Sequence, residues 1–502
     1  MELTELEQQR VEKLEDLRQR GMEAYPNRVR RTHTIDEAVA AFKEAEASEE
    51  DPPSVTVTGR LRSIRAMGKI AFADIEDGNG TIQLFLRSSE METEIYEAFT
   101  TAFDLGDFVE AKGPLMRTRT GEISVLVQRL RMLAKAISPL PVIKEKEVDG
   151  EVVRYTSFSD VEERYRQRYA DLASNPDVRR VFRRRARTIK AMRDFLDQHG
   201  FVEVETPILQ PIYGGAAARP FITHHQQLHQ DLYLRISFEL YLKRLLVGMY
   251  DRVYEIGRDF RNEGVSHKHH PEFTQMEFYA AYWDYRDVMD FCEKMIAAIA
   301  ERVTGSPVIS YQGHEIDLSP PWRRVTLRDV AHEVTGIDYL KYPTAEELGE
   351  AMVANDLPAP SDATWGYLID KGLLGTVEPT LIKPTFVMDY PRDISPLAKT
   401  KPDDPTHVER FEFFIGGLEM GNAFTELNDP FDQEERFREM GRLYDPNEDE
   451  AHPMDEDYVR AMKYGMPPNG GFGIGVDRLM MLLTDRPNIR EVILFPHLRE
   501  RE

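Results

Sequence analysis

Three stretches of this chain concentrate side chains that could do chemistry. The first is DRVYEIGRDFRNEGVSHKHHPEFTQMEFYAAYWDY (251–285). Residues 253–261 and 272–279 are strand-like, and a polar loop joins them. Strand side chains alternate between faces, so Phe273, Gln275, Glu277 and Tyr279 share one. Arg261 and Glu263 stand at the end of the first strand. A fixed cation, carboxylates, an aromatic plate and a phenol on one surface would suit a ligand with charged phosphates and a flat base. The same residues would equally make an ordinary salt-bridged hairpin.

The second stretch is RFEFFIGGLEMGNAFTELND (410–429). Asn422, Phe424 and Glu426 alternate onto one face, and Glu412 and Glu419 flank the Gly416-Gly417 turn. Two carboxylates at this separation could hold Mg2+ together with substrate phosphates. Glu426, buried near a phenol, could take an ammonium group. A polar strand edge is the plain alternative. The third stretch, GGFGIGVDRLMMLLT (470–484), runs glycines into an apolar helix with Arg478 at its start. Its spacing, Gly471-x-Gly473-x-Gly475, is not the dinucleotide GxGxxG, and neither GxxxxGKS nor GxxxxGKT occurs anywhere. An ATP site here would not use a P-loop; its glycines would let backbone and Arg478 approach a phosphate closely. His267, His269 and His270 crowd one loop. A metal site there needs a convergence that a loop rarely provides, so a solvated or nucleotide-facing loop is expected.

The elements that must position these residues follow from periodicity and turn chemistry. Residues 1–24 read as a charged helix closed by Tyr25-Pro26-Asn27, and 28–50 as a short helix and polar linker ending at Asp51-Pro52-Pro53. Residues 54–140 change character: VTVTGRL, KIAFADI, TIQLFLR, DFVEAKGPL and EISVLVQRLRML are short β-type runs separated by turns such as Asp77-Gly78-Asn79-Gly80 and Thr120-Gly121. Five such strands predict a small closed barrel, with the OB-fold as leading candidate. The tract SPLP marks a boundary near 141. Residues 142–502 mix helices and strands without regular βαβα alternation. Val178, Phe182, Ala186, Ile189, Met192 and Leu196 predict an amphipathic helix over 177–199, capped near Gly200. Phe201 to Glu205 then reads as an alternating strand.

Composition bounds the rest. The chain has 502 residues, 41% of them hydrophobic, enough for two or three domains. No apolar run approaches a membrane span, and the N-terminus has no secretory h-region. One cysteine, Cys292, excludes an internal disulfide and a cysteine-based zinc site. A reducing cytoplasm is the expected compartment, with no membrane and no DNA partner. The net charge of −24 opposes generic nucleic-acid binding. Two basic runs stand out against it: Arg60, Arg62, Arg65 and Lys69, then Arg179, Arg180, Arg183, Arg184, Arg185, Arg187, Lys190 and Arg193. Each is either a local RNA contact or, more simply, a solvated face.

Together these residues resemble a known family. FRNEG with its downstream strand and GIGVDR are similar to motifs 2 and 3 of the class II aminoacyl-tRNA synthetases, and helix 177–199 with FVEVETP is similar to motif 1. ERYRQRYADL (163–172), GGAAARPFITHH (214–225), ELYLKRLLVG (239–248), HPEFTQMEFY (270–279), ISPLAK (394–399), RFEFFIGG (410–417), NAFTELND (422–429) and ILFP (493–496) resemble the lysine-specific members of bacterial type. The resemblance implies an α+β multidomain chain: a helical extension and linker (1–53), an OB-fold anticodon-binding barrel (54–141), and a catalytic domain with an antiparallel sheet flanked by helices (142–502). It implies an AMP- and diphosphate-forming ligase using lysine, ATP, Mg2+ and the lysine tRNA, acting as a homodimer.

Carried over by position, the resemblance implies that Arg261 bridges the ATP α-phosphate and the lysine carboxylate. Glu263, His269 and the loop between them meet adenine, and Phe273 stacks on it. Gly475 and Arg478 hold the far end of the triphosphate, and Glu412 and Glu419 bind Mg2+. Gly215 and Glu239 receive the α-amino group and Asn422 the carboxylate. Glu426 and Tyr279 bind the side-chain ammonium, with Glu277 and Phe424 completing the pocket. Phe72, Gln83, Phe85 and Glu122 hold anticodon bases, by stacking and base-edge hydrogen bonds. Two positions depart. Ser237-Phe238 replaces the usual Ala-Pro, freeing φ and adding bulk beside Glu239, and His270 stands where asparagine is common. An aspartate or asparagine enzyme is disfavoured by the acidic Glu426. A protein-modifying paralogue would lack the barrel, and a regulatory relative would have lost Arg261, Arg478 or the paired glutamates.

Overall fold

The computed structural model describes residues 2–141, 143–148, 151–156, 160–360, 363–443 and 453–500. Its contacts divide the chain into two compact units, Met1–Val161 and Glu162–Glu502. The expected boundary lies earlier, at residue 142, which is outside the described residues. Between that point and the second unit runs a hairpin of Ile143–Val148 with Glu151–Thr156.

In the first unit, α1 (Glu5–Gln19) and α2 (Ile35–Ala47) each begin at a threonine that accepts the N3 amide and is answered by a glutamate, Thr4 with Glu7 and Thr34 with Glu37. Such reciprocal caps satisfy amides that the helix itself leaves unpaired. Leu14, Leu17, Ile35, Ala38 and Phe42 enter the same core as the barrel, so residues 1–53 pack as part of that unit. The barrel comprises β1 (Ser54–Met67), β2 (Ile70–Glu76), β3 (Thr81–Arg87), β4 (Phe108–Arg117), β5 (Ile123–Val127) and β6 (Arg129–Ala134). The order β1-β2-β3-β5-β4 closes through β1–β4 pairing, leaving no open edge in the circuit. The fifth expected run is split at Gln128: β5 bridges β3 and β4, while β6 extends along the other half of β4. A helix between β3 and β4, α3 (Thr93–Ala102), is absent from the expected elements. At the barrel base the fully buried Lys135 ammonium pairs with Asp104 at 2.6 Å and Asp107 at 2.9 Å, and Lys13 of α1 joins Asp104 at 2.6 Å.

The second unit is built on one large sheet. Its strands are β7 (Val202–Glu203), β8 (Arg252–Phe260), β9 (Glu272–Ala281), β10 (Arg323–Thr326), β11 (Thr385–Pro391), β12 (Asp404–Ile415), β13 (Leu418–Thr425) and β14 (Asn469–Gly475). They run in the order β10-β11-β12-β13-β14-β9-β8-β7. The interior is antiparallel as expected, and the two outermost pairings, β10–β11 and β7–β8, are parallel. The expected strand 201–205 shrinks to the two residues of β7. The glycine run that leads into the helix is itself β14, a central strand.

Alternation gives the sheet two unlike faces. Tyr254, Met276, Phe278, Phe411, Phe413, Phe472 and Ile474 are buried on one, under α4 (Pro176–Gln198), α6 (Tyr285–Thr304) and α8 (Val476–Thr484). Cys292 of α6 lies in this core with no exposed surface, and burial pushes its thiol well up. The opposite face carries the polar residues singled out above. Several cations of the basic runs are neutralised within the fold. Arg62 pairs with Glu76 and Arg65 with Asp74. On α4, Arg180 pairs with Asp177, Lys190 with Asp194, and Arg193 with Glu203, while Arg185 reaches Asp477 at the start of α8.

Candidate active site

The polar face of the sheet opens into a cavity of about 590 Å³. Register brings its lining together from distant sequence. Glu412 of β12 stands opposite Asn422 of β13, which faces Gly473 of β14, which faces Glu277 of β9. One row along, Arg410, Phe424, Gly471 and Tyr279 repeat the pattern. Glu419 would point away from Asn422 by simple alternation, since the two are three residues apart. A register shift between Phe413 and Phe414 re-aims it, so Glu412, Glu419 and Asn422 all line the cavity. The turn joining β12 and β13 needs two residues with positive φ, which Gly416 and Gly417 supply at 65° and 73°.

Every residue expected to meet lysine or ATP lines this cavity: Gly215, Glu239, Arg261, Glu263, His269, Phe273, Glu277, Tyr279, Glu412, Glu419, Asn422, Phe424, Glu426, Gly475 and Arg478. At one end the Arg261 guanidinium lies 5.1 Å from the Phe273 ring centre, and its buried Nε has no hydrogen-bond partner among the described residues. Arg478 donates to the Glu419 carbonyl at 2.6 Å and lies 3.3 Å from its carboxylate. Burial opposes the Glu419 charge, but Arg478 and Lys371 outweigh it and hold the carboxyl down at about 2. Glu412 is pushed the other way, to about 7: burial and the charges of Glu419 and Asp370 prevail over Arg410 and Lys371. Lost solvent and the Arg478 charge push His269 down to about 4, so it is neutral at physiological pH.

The histidine loop is ordered by hydrogen bonds. His270 is buried, with Nδ1 2.5 Å from the Glu272 carbonyl and Nε2 accepting the His497 amide at 2.8 Å. That pattern assigns the proton to Nδ1 and makes this histidine a tie to the 497 region. His269 Nδ1 lies 2.8 Å from Ser266 Oγ. The His269 and His270 rings serve different partners.

The other end of the cavity is acidic and buried. Glu239 begins α5 (Glu239–Val247), and Gly215 abuts it with φ +86°; a Cβ at Gly215 would lie 2.9 Å from the Glu239 Cβ. Ser237 Oγ accepts the Glu239 amide at 3.1 Å and donates to Glu277 at 2.9 Å. Gln275 and the Tyr279 hydroxyl also donate to Glu277, at 2.8 and 3.2 Å. The expected bulk of Phe238 is not beside Glu239 in the pocket. Its ring packs into a small cluster with Leu242, Leu246, Val253 and Tyr279, 4.1 Å beneath the Arg235 guanidinium. Arg410, missed in the sequence, buries its guanidinium and donates to Glu412 at 2.6 Å and Ser395 at 2.9 Å. Lys243 was missed too. It is fully buried 2.5 Å from Glu239 and in contact with Glu426. Its spacing of four from Glu239 on a helix was the available signal.

In the first unit, Phe72 and Phe85 pair across β2 and β3 and stack with ring centres 4.8 Å apart and planes within 9°. Gln83 lies on the same face and accepts from Ser124 at 3.0 Å. Glu122 is exposed in the turn between β4 and β5. Phe85 is buried and Phe72 half-buried; a part-exposed ring is a surface on which unstacked bases can lie.

Residues 160–499 match the family model for class II tRNA synthetases (D, K and N), and residues 55–133 match that for the OB-fold nucleic acid binding domain. The chain is 54% identical to a lysine–tRNA ligase of Roseiflexus castenholzii over the full length of both. It is 53% identical to one of Chloroflexus aurantiacus, covering all of this chain and 99% of the relative. A lysine–tRNA ligase of Dehalococcoides mccartyi is 48% identical over 99% of this chain and 98% of its own.

Proposed function

Since the chain belongs to the class II tRNA synthetases, among the lysine–tRNA ligases, we infer that its cavity is where lysine is activated by ATP before transfer to tRNA. The observation that carries this is the unlike lining of the cavity: Arg261, Phe273 and Arg478 with the pair Glu412 and Glu419 toward one end, and the buried Glu239, Glu277 and Glu426 toward the other. Lysine presents its carboxylate toward the first end and its ammonium groups toward the second. The ionised carboxylate attacks the α-phosphorus of ATP, forming lysyl-adenylate and releasing pyrophosphate. No general base is needed, because the nucleophile is already an anion at pH 7. Arg261 bridges the carboxylate and α-phosphate, Phe273 stacks on adenine, Glu263 and His269 border the base, and Arg478 beside Gly475 holds the outer phosphates. Catalysis then rests on positioning and charge stabilisation.

Glu412 and Glu419 fit Mg2+. Two carboxylates with phosphate oxygens make its usual oxygen shell, and among the described residues no third acidic or histidine ligand joins them. An ion held by Glu412 and Glu419 would neutralise charge on the phosphates; Arg410 and Tyr390 fix the Glu412 carboxylate at 2.6 and 3.0 Å.

Glu239 and Gly215 take the α-amino group and Asn422 the carboxylate. Glu426 and Tyr279 take the side-chain ammonium, with Glu277 and Phe424 shaping the wall. A neutral side chain there leaves Oε1 of the buried Glu426 without a partner, which costs roughly 1–3 kcal/mol or more and rejects isosteres without editing. In the barrel, Phe72, Gln83, Phe85 and Glu122 receive anticodon bases. We read the chain as a cytoplasmic homodimer of three segments, 1–53, 54–141 and 142–502. Among the described residues no helix is long and apolar enough to cross a membrane.

The test is ATP–pyrophosphate exchange with each of the twenty amino acids and Mg2+. Exchange with lysine alone is expected. Exchange with another amino acid would overturn the assignment of Glu426, and none would overturn the reading of the cavity.

A further inference from the structure

Lys243 is a buried cation that the proposed reaction does not use. It does not line the cavity; it lies behind the acidic wall, with no exposed surface. From α5 its ammonium reaches Glu239 one turn back, and it meets Oε2 of Glu426 beyond β13. Both Glu426 oxygens are buried without a hydrogen bond among the described residues, but there Oε2 has the Lys243 ion pair and Oε1 has none. That oxygen faces Gly471, where a Cβ would come within 2.1 Å of it. One oxygen is thus tied from behind and the other presented to the cavity.

The remaining groups around Lys243 are consistent with a fixed charge. Tyr279 of β9 lies 5.9 Å away, measured to the ring centre. Tyr458, on α7 (Glu456–Lys463), faces it, Arg410 of β12 faces Glu239, and Glu277 lies beyond Tyr279. Burial works against the ammonium, but Glu239 and Glu426 outweigh it and raise its proton affinity. Glu239, Glu277 and Glu426 bring three buried carboxyl groups to the wall. Burial raises the proton affinity of all three, that of Glu426 to about 8, and the Lys243 charge opposes it at Glu239 and Glu426.

We propose that Lys243 is a positioning and specificity residue for the amino-acid substrate: it clamps Glu239 and Glu426 into one unit and fixes where their carboxyl groups meet an ammonium. This rests on the assignment of the acidic end to lysine. Without the clamp, two neighbouring buried carboxyl groups repel when charged, and burial favours their protonated forms further. A protonated carboxyl no longer attracts an ammonium.

The experiment compares full-length wild type, Lys243→Met and Lys243→Arg by ATP–pyrophosphate exchange and by calorimetric lysine binding, from about pH 6.5 to about 8.5. Thermal melts check folding. In Lys243→Met the lysine KM should rise at least about tenfold at neutral pH while the ATP KM stays within about twofold. The defect should shrink as pH rises, because the carboxyls ionise again. Lys243→Arg, which keeps the charge, should recover most of the affinity and the shallower pH profile. A folded Lys243→Met with wild-type lysine KM at every pH would overturn the proposal. So would a pH-independent loss shared equally by lysine and ATP, the mark of a merely structural residue. If Lys243→Met does not fold, Lys243→Arg decides: near wild-type affinity with an unchanged pH profile supports the clamp, and a large pH-independent loss overturns it. Wild type failing to bind lysine would instead overturn the site assignment, and the clamp with it.

Discussion

Replacing Gly471 by alanine should close the amine end of the cavity with a single methyl group. Gly471 sits mid-strand in β14, and its φ is not among the positive values, so the backbone accepts any residue. The obstacle is the new atom. A Cβ at this position would lie 2.1 Å from Glu426 Oε1 and 2.4 Å from Tyr279 Cε1, far inside ordinary contact of about 3.5–4 Å. Neither neighbour can step back easily. Glu426 is held by Lys243, and Tyr279 is fully enclosed with its hydroxyl on Glu277. Overpacking of this kind costs about 1–3 kcal/mol, and here it falls on the two groups proposed to hold the ammonium. Lysine affinity should therefore drop roughly 5- to 150-fold. The ATP end lies at Gly475 and Arg478, at the far end of the same strand, so the ATP KM should change less than about twofold. Steady-state ATP–pyrophosphate exchange with each substrate varied reads both, and a melting curve confirms that the sheet is intact. A folded Gly471→Ala protein with an unchanged lysine KM would refute the placement of the ammonium between Glu426 and Tyr279. A protein that lost ATP instead would refute the orientation of both substrates.

Other perturbations separate the parts of the molecule. Glu426→Gln should lower kcat/KM for lysine by more than about a hundredfold, in line with breaking a buried pair, with ATP affinity retained; unchanged lysine kinetics would remove Glu426 from the pocket. Phe72→Ala should raise the tRNA KM in aminoacylation about fivefold or more, the loss of one stacking platform, while tRNA-independent pyrophosphate exchange stays as in wild type. Equal aminoacylation would argue against base stacking there. In the barrel, burial works against the Asp104 charge, but Lys13 and Lys135 outweigh it and hold the carboxyl below its usual range. A depressed carboxyl contributes stability above its unfolded pKa of about 4, and that stability is lost as pH falls through the folded value. Wild-type melting temperature should therefore fall on acidification more steeply than that of Asp104→Asn; parallel curves would show that the cluster is not linked to folding.

Much of the site was legible because strands alternate. Phe273, Gln275, Glu277 and Tyr279, and likewise Asn422, Phe424 and Glu426, could be assigned to one face from spacing alone. The Gly416-Gly417 turn announced the hairpin joining β12 and β13. What spacing could not reveal is register between strands. The shift at Phe413 and Phe414, which turns Glu419 onto the face of Asn422, leaves no trace in composition. The β14 strand was illegible for another reason: glycine has no side chain to alternate, so GGFGIG carries almost no strand signal, and neighbours on both sides impose the conformation. Helix α3 lies between clear strands and was overlooked among them. The spacing of Lys243 from Glu239 signals at most a helical ion pair, and only the fold reveals that both are buried and that Glu426 joins them. Ser237-Phe238, a departure from the resembling family, is absorbed by turning the ring into the apolar cluster and giving the hydroxyl to Glu239 and Glu277.

The placement of Cys292 makes the molecule convenient for spectroscopy. Thiol reagents need an accessible thiolate, and this sulfur is sealed beneath the sheet with its ionisation suppressed. No other cysteine competes in the sequence. A single cysteine introduced on an exposed barrel position, or one in each unit, would take a fluorophore or spin label at that position without prior removal of native thiols. Motion of the anticodon-binding unit during a catalytic cycle could thus be followed on an otherwise unaltered chain.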